Sequence, residues 1–300
     1  MPVQGTTYVD AVLTQFSLKY RNSEYIADRV APIVPVTKTS GKYFVYGREN
    51  FTIPESLRAP GTLSSTVGWS VSTDEYQCYE YALNDLIDEI IRDDADASLN
   101  IEQSTVEYLT DMILLGREKR VADLVTNAST FANTEPNPNW NEASCTPIAD
   151  VEAACEAMRK ACGRRPNLMV LPGAVFSSLK TCDEILATLK SGVAKVSVEL
   201  LQDLFGIPEI LIANAVYNTA KEGDTESLSD VWGDTVGLYY NQPGTGQKTI
   251  TAAKTFRQRP FRVMRASIPT QHSEWYEPSM VEGLKVTSDV AGYLLTNCNA

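Results

Sequence analysis

The chain has one histidine, His272, no cysteine pair spaced CxxC, and no lysine between Lys42 and Lys119. It also lacks any apolar run near the roughly 18 residues that mark a membrane span. Each absence narrows the function. A lone histidine in TQHSEW, with no nearby cysteine or paired acid, reads as a surface or structural residue rather than a catalytic base. The six cysteines, Cys78, Cys145, Cys155, Cys162, Cys182 and Cys298, lack zinc-site spacing. Cys155 and Cys162 share a helix face but lie about two turns apart, too far to bridge, so all six are expected to be reduced and buried. GxSxG, HExxH and GxGxxG are missing. Gly244 to Thr249 (GTGQKT) resembles a phosphate loop only in part, because Gln247 separates Gly246 from Lys248. Positive charge is scarce as well. The net charge of −12 argues against a protein whose task is to grip phosphate backbones. The N-terminus lacks the basic-then-apolar order of a signal peptide, which points to a cytoplasm.

What remains is an ordinary globular composition, 43% apolar and 21% charged, in a chain long enough for one large domain or two smaller ones. The proline-free stretch from Asp94 to Asn127 predicts one long helix. Asp93, Asp94 and Asp96 crowd its front, where the helix dipole favours negative charge. Val106, Leu109 and Ile113 share a face that Val121, Leu124 and Val125 resume. Gly116 weakens the middle and marks a hinge. Such a rod is about 45 Å long, well beyond an average helix.

Residues 1–40 read as an arm, with a short helix near Asp10 to Tyr20 and an extended path through Pro32 and Pro35. That arm, including Tyr25, Ile33 and Val34, either wraps its own domain or lies on a neighbouring subunit. Residues 41–82 read as a long β-hairpin, with Tyr43 to Tyr46 outgoing and Val67 to Val71 plus Tyr76 to Tyr81 returning. Its tip carries Phe51, Pro54, Arg58, Pro60 and Gly61. A projecting hairpin is marginal alone in water, so a partner surface is expected. Asp85, Asp88, Glu89, Asp93 and Asp94 fit no calcium loop and read as a solvated run at a helix start.

From Asp150 helices and strands alternate. Asp150 is expected to cap a helix ending at Gly163, and Ser197 to cap Val198–Phe205, ending at Gly206. Asn167 to Leu171, Ile210 to Ala213 and Thr235 to Tyr240 predict buried strands. Four closing strands, Phe261 to Ile268, Ser273 to Glu277, Val281 to Thr287 and Gly292 to Leu295, are expected to form a sheet against the rod in an α+β body. Arg257, Arg259, Arg262 and Arg265 form the one cationic cluster. In so acidic a chain they are expected to pair with acidic surface on the same or a neighbouring subunit.

The order of these parts resembles the major capsid proteins of tailed bacteriophages, the Hong Kong 97-type fold also found in encapsulin shells. The likeness runs over nearly the whole chain. YIADRVAPIVPVTKTSGKYFVYGREN resembles the arm entering the family's extended loop, and RAPGT followed by YQCYEYALNDLIDEI resembles its tip and return strand. RRPNLMVLPGAVFSSL, LLQDLFGIPEILIANAVYNTA and VWGDTVGLYY resemble pieces of the axial domain, and AGYLLTN the closing strand.

That resemblance implies an arm (1–40), an extended loop (41–82) and a peripheral domain (83–149) holding a spine helix at 94–127. It further implies an axial domain (150–260) and returning strands (261–300). The implied function is structural, without catalysis or cofactor: self-assembly into pentamers and hexamers of an icosahedral shell around double-stranded DNA, contacted without sequence specificity. An encapsulin-like nanocompartment is the alternative. Some relatives weld subunits through an extended-loop lysine; the lysine gap excludes that bond at the loop tip here. Implied partners are copies of the chain, a separate scaffolding protein, a portal and a decoration protein, with no membrane. The expected location is the virion, after assembly in the host bacterial cytoplasm.

Overall fold

The computed structural model describes residues 8–19, 24–45, 53, 56–58, 60–64, 66, 72–94, 100–142, 144–188, 196–221, 223–242 and 249–299. In chain order the first elements are β1 (Tyr8–Val9), α1 (Ala11–Lys19), α2 (Ala27–Val30) and β2 (Ile33–Pro35). The extended hairpin follows as β3 (Ser40–Val45) and β4 (Ser72–Gln77), then β5 (Tyr79–Ala82), β6 (Asp85–Asp88) and α3 (Glu89–Asp93). The spine is α4 (Ile101–Val125), and β7 (Ala132–Thr134) comes after it.

The expected helix start at Asp94 is corrected. The acidic run splits between an edge strand, β6, and the short α3, whose first turn is capped by the Asp88 carboxylate accepting from Ile90 N at 2.9 Å. The spine begins only at Ile101, where the Asn100 side chain accepts from Gln103 N at 3.4 Å. Local capping thus overrode the run of negative charge. The spine buries Val106, Leu109, Ile113, Val121 and Val125 along one face, as the spacing predicts.

The second half alternates helix and strand. It comprises α5 (Pro147–Cys162), β8 (Leu168–Pro172), α6 (Gly173–Leu179), α7 (Asp183–Thr188), α8 (Val198–Phe205), β9 (Glu209–Ala213), β10 (Val216–Asn218), β11 (Leu228–Asp230) and β12 (Val236–Tyr239). Gly163 and Gly206 end α5 and α8 in left-handed conformation, and Ser197 caps α8. Asp150 is not the cap of α5. Thr146 holds that position, and Asp150, in the first turn, accepts from Trp140 Nε1 at 3.0 Å. Strand order in this sheet is β7-β15-β12-β8-β9, where β15 is Gly292–Leu295. Between the helices and this sheet lies a core of Trp140, Met169, Leu171, Ile185, Leu201 and Leu238.

The other sheet is built on two long strands, β13 (Ala253–Ile268) and β14 (Ser273–Val286), antiparallel throughout. β1 and β2 lie along β13, while β5 and β6 lie along β14. Three expectations change here. Gly292–Leu295, expected in this sheet, is β15 of the second-half sheet, where its backbone pairs with β12 and β7. β13 begins at Ala253, so the boundary at 260/261 falls inside a strand. Ser273–Glu277 and Val281–Thr287 are one strand that continues through Pro278. Register shifts beside Arg259 accommodate Pro260, which cannot donate to a ladder. The spine packs on β14 as expected, with Val106 against Val263 and Tyr276, and Ile113 against Phe261 and Met280. All six cysteines are free and buried.

Candidate assembly surfaces and the junction beneath them

The extended hairpin is in register from Ser40↔Gln77 to Val45↔Ser72, so an outgoing and a returning strand are present at its root, while Val67 to Val71 lie outside the described residues. Tyr79 to Tyr81, expected to continue the return strand, belong to β5 and pair with β14 instead. The root is fixed hard. Tyr76 stacks on Phe256 with centroids 4.4 Å apart, and Tyr43 donates its hydroxyl to Asp74 Oδ2 at 2.9 Å and Val286 O at 3.1 Å. Burial first, and then the Asp74 carboxylate, push the Tyr43 phenol upward, so it stays a donor. Gly283 lies so close to the hairpin that a Cβ there would sit 2.2 Å from Gln77 O, and only glycine allows the approach.

At the tip, Arg58 Nε donates to Thr62 O at 2.5 Å, closing a turn through Pro60 and Gly61, the latter at φ +83°. Phe51 and Pro54 lie outside the described residues. Ile53, Leu57 and Leu63 are 98%, 87% and 97% exposed, which leaves three large apolar side chains wholly in water. A second apolar stretch runs along the edge formed by β5, β6 and α3, with Tyr79, Leu86, Ile90 and Ile91 exposed. Contiguous exposed apolar surface marks interaction sites.

The arm is seated on its own chain over its described residues. Ile33 and Val34 pair in parallel with Thr255 and Phe256 of β13, and Tyr25 packs against the core shared by spine and second-half sheet. Ile33 and Val34 thereby lie on their own chain. The reason is that β13 offers an open edge, which β2 fills.

Beneath arm and hairpin, the middle of the spine is charged and buried. Arg117 is 2% exposed, and Glu118 and Glu282 are fully buried. Arg117 meets Asp28 of α2 at 2.7 Å, Glu282 of β14 at 3.1 Å and the Thr255 hydroxyl of β13 at 3.2 Å. Arg257 reaches the same Glu282 oxygen at 2.9 Å, and Arg120, stacked over Tyr81 at 3.7 Å, approaches its other oxygen at 3.6 Å. Glu118 points the other way, accepting from Ile26 N, Ala27 N and Trp232 Nε1. Burial pushes its carboxyl above the ordinary value, against the lowering effect of those donors and of Arg117.

This junction was not among the expected site residues. The signal was available: Ile113, Arg117 and Val121 are four apart, so Arg117 falls on the apolar stripe itself. Gly116 sits beside it, half-buried, where a Cβ would lie 3.4 Å from Arg120 Nη1. The basic run pairs within its own chain: Arg259 and Arg262 with Glu80, and Arg265 with Asp10, Glu102 and Glu274. His272 is largely exposed, 3.8 Å from Glu89. Among the described residues no group of three or more His, Cys, Asp or Glu is placed to hold a metal, and no helix is long and apolar enough to cross a membrane.

No family model matches the chain. It is 28% identical over 303 residues to the major capsid protein of Burkholderia phage BcepMu, covering 97% of each chain. Among solved structures, a phage-related protein from Bordetella bronchiseptica RB50 superposes with a TM-score of 0.79 at 22% identity, covering 98% of each chain. The capsid of cyanophage P-SCSP1u gives 0.59 at 12% identity, over 92% of this chain and 88% of that one. The fold is the α+β Hong Kong 97 type that these phage capsids share. The full-length relative is a phage major capsid protein, and the likeness of this chain to it runs from end to end.

Proposed function

We propose that copies of this chain form pentamers and hexamers, and that these close into an icosahedral shell around double-stranded DNA without catalysing a reaction. The observation that carries this reading is the extended hairpin. Its root is anchored by stacked aromatics, while Ile53, Leu57 and Leu63 stand in water. A hairpin anchored at its root and presenting unburied apolar side chains is useful when a second copy covers them, and stable capsomers need large interfaces of that kind. Arg58, Pro60 and Gly61 shape the contacting turn in this reading, and Gly116 lets the spine bend as the shell matures. Assembly takes place in the host bacterial cytoplasm, guided by a separate scaffolding protein around a portal, with a decoration protein as a further partner. With a net charge of −12, packaged DNA is held by enclosure rather than by sequence-specific contacts.

Electron microscopy of the expressed protein tests this. Angular shells are expected; monomers at every concentration would refute it. An encapsulin-like compartment is the second reading. A likeness of fold to a virus-like particle from Pyrococcus furiosus, TM-score 0.57, favours it, and the full-length phage relative weighs against it. DNA-filled shells support the first reading, and small shells with protein cargo support the second.

A further inference from the structure

α2 is a single helical turn and cannot hold itself together in water. It is held by contacts from elements far apart in sequence. Ile26 N and Ala27 N donate to Glu118 Oε1 and Oε2 at 3.1 and 2.9 Å. Asn241 donates to Val30 O at 2.9 Å, and the Thr255 hydroxyl to Ala31 O at 3.0 Å. Trp232, 3% exposed in the turn that leads into β12, donates its indole N–H to the same Glu118 Oε1 at 2.8 Å. Glu118 therefore takes donors from the arm on one side and from the second-half sheet's lead-in turn on the other.

We infer that Glu118 is a three-way coupling residue, which makes seating of the arm and fixing of the Trp232 turn one thermodynamic event. A carboxylate with no exposed surface is tolerable only while its donors compensate the lost water. If the arm leaves, Oε2 loses its donor and Oε1 loses one of two. Water or a proton must then enter, and either weakens the hold on Trp232. The reverse path runs identically: losing the indole donor loosens the carboxylate's grip on Ile26 and Ala27. Coupling between two sites is reciprocal by necessity. The cavity beside the junction, lined by Tyr25, Leu114, Arg117, Glu118 and Phe261, gives water a place to enter. A neighbour that displaces the arm would thereby release the turn at the entry to β12, on the far side of the spine. The coupling acts within one subunit, so it stands or falls separately from the shell reading.

Hydrogen–deuterium exchange on the unassembled subunit tests it. Trp232→Phe keeps an aromatic ring and removes only the indole donor. The amides of Ile26 and Ala27 are expected to exchange about tenfold faster, within the usual range of coupling between sites. Unchanged exchange there, in a variant with native circular dichroism, overturns the inference. Should Trp232→Phe lose its fold, wild-type protein is read at rising urea below global unfolding. Protection of 24–31 and 231–236 is expected to vanish at one urea concentration. Loss in two separate steps overturns the inference.

Discussion

Glu282 is reached by Arg117 at 3.1 Å, by Arg257 at 2.9 Å and by Arg120 at 3.6 Å, with Glu282 and Arg117 themselves buried. Removing one member of such a set leaves another charge buried without compensation, and this costs more than the pair contributes. Arg117→Met is therefore expected to lower subunit stability by about 3–5 kcal/mol, read as a shift in the urea midpoint. Glu118 gives a pH signature. Its folded-state value is raised by burial above the ordinary 4.5, so the folded chain binds that proton more tightly than the unfolded chain does. Stability from this group is then fully present below 4.5 and is lost as pH rises through the folded value. The stability of wild type relative to Glu118→Gln should fall as pH is raised from 4.5 towards neutrality, measured by urea titration at each pH. A difference that grows with pH would contradict the raised value.

Among the elements, α8 is the clearest case of local chemistry deciding structure. Ser197 caps it and Gly206 ends it at φ +64°. Ser197→Ala should cost about 1 kcal/mol, as loss of an N-cap does. α5, α8, β8, β9 and β12 were all legible, because each carries its signal within its own few residues. The long strands were legible only in part. β13 and β14 contain Pro260, Pro278 and Gly283 and bury Lys254, Thr255 and Glu282, so alternation breaks although the strands continue. What keeps them strands is pairing with each other and with β2, β5 and β6, which no local pattern announces. The buried junction escaped notice for a related reason. Arg117 lies on the apolar stripe, but its partners Asp28, Thr255 and Glu282 come from three distant segments. Gly116 was visible as a weak point in the spine, and its surroundings leave room for a methyl group. Gly116→Ala is expected to stabilise the unassembled subunit by up to about 1 kcal/mol by helix propensity and to slow shell expansion. Unchanged expansion kinetics would count against the hinge.

At the scale of the whole molecule, the subunit divides its apolar surface unevenly. The core around Trp140, Met169 and Leu238 is closed, and so is the one between the spine and the long strands. The hairpin tip and the β5–β6–α3 edge stay open. In the proposed reading the described tip side chains Ile53, Leu57 and Leu63 lie outside both cores and serve association. Deleting 51–65 should therefore leave the urea midpoint within about 0.5 kcal/mol of wild type, as for changes remote from any core. It should abolish shells.

The most direct test of the central claim is cryo-electron microscopy of shells assembled from the full chain. The account predicts closed icosahedral particles in which Ile53, Leu57 and Leu63 of every subunit are buried against a neighbouring copy. Closed particles with those three side chains still in solvent, or no particles at any concentration, would contradict it.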